Sequence, residues 1–114
     1  MAEFILALSG DPQNWKGGSE KEENEIMQTF VGWVHQLAEK KQYKECTRLV
    51  PKMAEVSSVG GSIVVDGPFT ETKEIYSGIF LIEAKDFEDA VAIAKTCPML
   101  VKGEKIAILP VNKG

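Results

Sequence analysis

The sequence predicts a single α+β domain in which two helices cover one face of a four-stranded antiparallel sheet. Apolar runs that suit strands alternate with two stretches of helical periodicity, in the order strand, helix, strand, strand, helix, strand. At 114 residues and 44% apolar, the chain has the length of one domain and enough apolar material for one core. The strands are apolar on both faces, so something must cover the side the helices do not reach. The βαββαβ order is that of the ferredoxin-like fold.

Residues 3–9, "EFILALS", read as the first strand, with Phe4, Leu6 and Leu8 on one face and Ile5 and Ala7 on the other. A loop rich in glycine and polar residues follows over 10–21, broken by Pro12. A helix is expected from about Glu22 to Lys41. Ile26, Phe30, Trp33, Val34 and Leu37 recur at three- and four-residue spacing, with Met27, Val31 and Ala38 widening the stripe. Acidic residues lead this helix and lysines close it, as its dipole favours.

Residues 46–58 contain Pro51, which suits neither a central helix nor a central strand, so an edge strand or an irregular extended segment is expected. Gly60-Gly61 turns the chain into a short strand at 62–66. The next strand, 75–84, sets Ile75, Ile79 and Leu81 against Tyr76, Phe80 and Ile82. Asp86 caps a second helix running to Cys97, with Asp89 in the capping-box position, and Pro98 stops it. A last strand occupies about 104–111. A second copy of the chain is the simplest cover for the helix-free sheet face, giving a face-to-face homodimer. The alternative is that the loops at 10–21 and 98–104 fold over it.

Composition narrows the partners. The net charge is −4 with no basic stripe, which argues against direct nucleic-acid binding. No apolar stretch approaches a membrane span, and the N-terminus lacks the basic region of a signal peptide, so a cytoplasmic location is expected. Cys46 and Cys97 are then expected to be free thiols. Metal-ligand spacing, nucleophile elbow and phosphate loop are all absent from the sequence, and no cofactor is expected.

The stretch "VVDGPFTETKE" is the candidate site. Asp66 stands at a strand end, where its carboxylate could act as a general base or ligand acceptor, or could bond backbone amides of the loop as an Asx turn. Pro68 is expected to hold Gly67 extended, and Phe69 to anchor the loop by packing or to stack on a ligand. Glu71, Lys73 and Glu74 form a solvated rim or the polar mouth of a pocket. Tyr76 could place a hydroxyl in an apolar cavity, and Ser9, with Asp11 beyond it, could face the same end. His35, the only histidine, lies on a helix flank and is read as a surface or packing residue.

Asp66-Gly67-Pro68-Phe69 with Glu71, Lys73 and Glu74 resembles the signature of the DGPF-motif branch of the YCII-related superfamily. Gly10-Asp11, Trp15, Gly78, Pro98 and the closing Pro110-Val111 extend that resemblance over nearly the whole chain. It implies a ferredoxin-like fold, a dimeric α/β barrel and a small-molecule ligand. A His-Asp pair is taken as the active site in the other main branch, but here His35 sits late in its helix. The resemblance implies an arginine just before the final Pro-Val, as is common in that branch, and here the position is Leu109. Three functions follow as expectations: a binder of a small organic ligand at the sheet or dimer interface; a small enzyme doing dehydration or isomerisation on an organic acid, with Asp66 as base; and a regulatory or protein-interaction module.

Overall fold

A computed structural model describes residues 1–11, 19–50, 52–69 and 75–113. Strand β1, Ala2–Gly10, is followed by helix α1, Glu20–Glu39. The Ser19 side chain accepts the Glu22 N–H at 3.1 Å and so starts α1 two residues before the expected boundary. Trp33 and Leu37 are buried, with Ile26, Met27, Phe30 and Val34 packing beside them. Val31 and Ala38 face solvent, so the apolar stripe is narrower than its composition suggests.

Strands β2, Tyr43–Arg48, β3, Met53–Val59, β4, Ser62–Phe69, and β5, Ile75–Ala84, come next, then helix α2, Phe87–Lys95, and strand β6, Lys105–Pro110. The Asp86 carboxylate accepts the Asp89 N–H at 2.8 Å, capping α2 as expected. The Asp89 carboxylate in turn accepts the Lys85 N–H at 3.0 Å, one residue earlier than a standard capping box. After α2 a 3-10 turn, Pro98–Lys102, ends at Gly103, whose left-handed φ of 78° suits glycine.

Four strands form one antiparallel sheet in the order β2-β5-β1-β6, the ferredoxin-like arrangement. The second strand of that sheet is β2, which starts ahead of the 46–58 segment, takes in its first three residues and lies at the sheet edge, as the edge-strand expectation has it. The strand expected at 62–66 belongs elsewhere. It is part of β4, which pairs with β3 in a separate two-stranded hairpin inserted between β2 and β5. Gly60 and Gly61, with φ of 57° and 85°, make its two-residue turn.

The register corrects one face assignment. Leu8 pairs with Gly78 but Ser9 pairs with Tyr76, so Ser77 is an extra residue in β5. Beyond this bulge the alternation reverses. Ile75 joins the buried side with Phe80 and Ile82, while Tyr76 joins Ile79 and Leu81 on the helix-free face. The core between helices and sheet is built on Leu6, Phe80 and Ile82, with the rings of Phe30 and Trp33 edge-on to Phe80 at 5.5 and 5.6 Å between centroids.

The helix-free face carries Ile5, Ala7, Ile79, Leu81, Ala107 and Leu109 in one apolar band. Within a single chain Tyr76 and Leu109 are each 49% exposed there. Glu3 and Glu83 lie opposite each other at one border, a like-charge pair relieved by Lys44, whose Nζ stands 3.3 Å from Glu3 and 3.2 Å from Glu83.

Candidate functional site

Gly10 has no side chain, and Glu104 takes the room. A Cβ on Gly10 would stand 3.2 Å from Glu104 Cγ and 3.4 Å from its Cα. Glu104 precedes β6 on the side of Ile106 and Ile108, whose partners Leu8 and Leu6 are core residues. Its carboxylate therefore points inward, and the residue is 6% exposed. The bulge at Ser77 turns that hydroxyl to the same side, where it donates to Glu104 Oε1 at 2.7 Å. The Leu8 carbonyl lies 3.5 Å from the same hydroxyl. Oε2 of Glu104 is buried and has no hydrogen-bond partner among the described residues.

This carboxylate closes a cleft between the sheet and the N-terminal half of α1. Met27, Phe30 and Phe80 line it, with Met99 from the 3-10 turn, and it offers about 60 Å³ of water-accessible space. That suffices for a few waters or the head group of a ligand. Cys46 and Arg48 enter from β2 because they pair with Phe80 and Gly78 on the helix side. Burial pushes the Cys46 thiol up, with the Arg48 charge pulling the other way. Burial raises Cys97 further, to about 11, a backbone bond at Met99 lowering it and the Glu104 charge raising it. Both cysteines are free, and neither is poised as a thiolate nucleophile.

The cleft can thus hold a small molecule whose leading group donates a hydrogen bond to Oε2. Arg48, exposed at the mouth, can meet an acidic group behind it. None of Ser77, Glu104, Cys46 or Arg48 is among the residues expected from sequence. For Glu104 the signal existed: it lies two residues before Ile106 on the inward parity of a strand. For Ser77 none did, because a bulge leaves no mark in the alternation.

The expected residues fall on the opposite face. Ser9 and Tyr76 are cross-strand partners and share an open cleft with Met53 and Glu55 at the root of the hairpin. Asp66 is exposed, lies opposite Glu55, and makes no side-chain hydrogen bond among the described residues; residues 70–74 of the loop it is expected to bond lie outside them. The Asp66-Gly67-Pro68-Phe69 stretch is not a turn. Met53 pairs with Phe69 and Glu55 with Asp66, so Gly67 and Pro68 together oppose Ala54 as a bulge. Gly67 is not extended in the ordinary sense; its φ is 116°, and a Cβ there would stand 3.0 Å from Ala54 Cα and from Met53 O. Pro68, with no N–H to give the ladder, fits a bulge. The side chain of Phe69 and the expected residues Glu71, Lys73 and Glu74 lie outside what the structure describes. His35 is exposed on α1, away from either cleft. Among the described residues no group of His, Cys, Asp and Glu is arranged to hold a metal, and no helix is long and apolar enough to cross a membrane.

Three comparisons with known proteins bear on this chain. Across its full span the fold is similar to 5-chloro-2-hydroxyhydroquinone dehydrochlorinase (TftG) from Burkholderia phenoliruptrix AC1100, solved in complex with 2,5-dihydroxybenzoquinone. The TM-score is 0.58, covering 98% of this chain and 95% of that one at 12% identity, which speaks to fold alone. The sequence is 32% identical over 95 residues to the uncharacterized protein R00369 of Rhizobium meliloti (strain 1021), covering 81% of this chain and 77% of that protein. The model of the YCII-related domain matches residues 5–112, and with it the chain belongs to the YCII-related domain family.

Proposed function

We propose that this YCII-related domain binds a small organic molecule, and that the cleft closed by Glu104 is where it does so. One observation carries the reading. A buried carboxylate oxygen with no partner costs stability, typically about 1–3 kcal/mol, unless something donates to it. Its placement in a cleft with an arginine at the mouth supports a ligand as that donor. The structural neighbour, complexed with a quinone, lends the same general role to the fold. The test is a small-molecule fragment screen read by amide chemical shifts. Shifts at Ser77, Gly78 and Glu104 support the reading. A broad library that moves none of them refutes it.

A second reading has its own observation. Ser9, Tyr76, Met53 and Glu55 border a cleft on the helix-free face, with Asp66 opposite Glu55. If a second copy of the chain covers that face, the cleft becomes an interior one, and Asp66 can act as a base or ligand acceptor with Tyr76 as polar partner. The pairing itself is supported by two apolar surfaces that one chain leaves open. One is the band through Ile79 and Leu109. The other is the β3-β4 hairpin, where Val56 and Val65, a cross-strand pair, are 67% and 64% exposed. A two-stranded hairpin is marginal in water by itself. Shifts confined to Ser9, Glu55 and Tyr76 in the same screen would favour this site.

A further inference from the structure

We propose that the Glu104 cleft takes a small amino-acid-like zwitterion, its ammonium on Glu104 Oε2 and its carboxylate at Arg48. The proposal rests on the reading of this cleft as the ligand site and names what enters it. An ionised carboxylate only accepts, so in that form whatever docks on Oε2 must donate a hydrogen bond. Among the described residues the carboxylate also lacks a counter-charge. No ion pair reaches Glu104 among the described residues, and its single donor is the neutral hydroxyl of Ser77. A ligand hydroxyl would supply the donor alone, whereas an ammonium supplies donor and charge together.

The walls suit that head group. The rings of Phe30 and Phe80 meet edge to face in the cleft wall, at 62° between planes. A cation is attracted to aromatic faces, and the thioethers of Met27 and Met99 add soft contact. About 60 Å³ seats a head group and a short stem. At the mouth Arg48 presents a guanidinium that is exposed and matches a carboxylate in shape. Negative charge inside and positive charge outside, with apolar walls between, is the complement of an ω-amino acid.

The experiment is calorimetric titration of the full chain with β-alanine, γ-aminobutyrate, 5-aminovalerate and 6-aminohexanoate. The ω-hydroxy acids, the unsubstituted acids and the matching alkylamines run alongside. At least one ω-amino acid should bind, with its hydroxy and unsubstituted counterparts at least tenfold weaker. Glu104→Gln, which keeps the shape and removes the charge, should weaken it at least tenfold. Arg48→Gln should weaken the amino acid and leave the matching alkylamine unchanged. Circular dichroism of both variants establishes that they are folded. The proposal is overturned if no ω-amino acid binds, or if Glu104→Gln binds it as well as the native chain does. It is also overturned if the hydroxy acids bind as tightly as the amino acids. Hydroxy acids that bind in a Glu104-dependent way would remove the zwitterion and keep the cleft, whereas a screen with no shift in the cleft removes both.

Discussion

Ser77 donates to one oxygen of Glu104 at 2.7 Å, and the other oxygen of that carboxylate is buried with no partner among the described residues. The pair is assembled by two local irregularities rather than by regular structure. The β5 bulge turns Ser77 toward the helices, and the bare backbone of Gly10 gives Glu104 its room. A satisfied network would stiffen the core, whereas a half-satisfied one weakens it. On the reading proposed above, that cost in stability is what the chain gives up for binding.

Glu104→Leu should therefore stabilise the protein. It removes the orphaned acceptor and adds apolar volume beside Met99 and Phe80. A gain of about 1–3 kcal/mol in urea unfolding is expected. Unchanged or reduced stability would mean that Oε2 is satisfied in solution.

Gly67→Ala tests the bulge in β4. A φ of 116° disfavours any L side chain, and the new Cβ would meet backbone at 3.0 Å, which no side-chain rotation relieves. The expected cost is about 1–3 kcal/mol, confined to the hairpin because β3 and β4 pair mainly with each other. Hydrogen exchange should show faster exchange at the amides of β3 and β4, with β1 and β5 unchanged. Equal protection throughout would show that another conformation serves at Gly67.

How much was legible follows from where the rules of alternation hold. The helix stripe through Trp33 and Leu37, the Asp86 cap and the two-sided strands were readable, since each depends on local period or one polar atom. The hairpin was not. "CTRLVPKMAEVSS" looks like one poor strand, and in fact it holds the end of β2, which joins the sheet, and most of β3, which does not. Tyr76 was assigned to the face of Phe80 because an inserted residue shifts parity without changing composition. The site at Ser77 was hidden for the same reason, and Cys46 and Arg48 were hidden with β2.

Cys97 gives a pH test. Its thiol is buried and its pKa lies at about 11, above the ordinary 9.0. Folding then favours the protonated thiol. The associated stability is fully present below the unfolded value of about 9 and is lost as pH rises toward 11. Across that window the native chain should lose up to about 2–3 kcal/mol more than Cys97→Ala does. Parallel pH curves for the two proteins would place the thiol in contact with water.

The final prediction separates the two sheet faces. Phe80 and Ile79 are neighbours in β5 that point to opposite sides. Phe80 is 1% exposed under the helices, and Ile79 is 38% exposed on the open face. In one chain alone, Ile79→Lys should cost little, because a long side chain can lift its charge into water. In a homodimer paired through this face, the same lysine sits in an apolar interface and should drive the species to single-chain mass. Phe80→Ala should instead cost about 3–5 kcal/mol of folding stability whatever the assembly, because it hollows the core beside Trp33 and Phe30. Light scattering at micromolar concentration, combined with thermal melts, reads both. A native dimer that Ile79→Lys converts to folded monomers supports pairing through the helix-free face. A native chain of single-chain mass, or an Ile79→Lys dimer of unchanged affinity, rejects it and leaves the cleft at Ser9 and Tyr76 without its second wall.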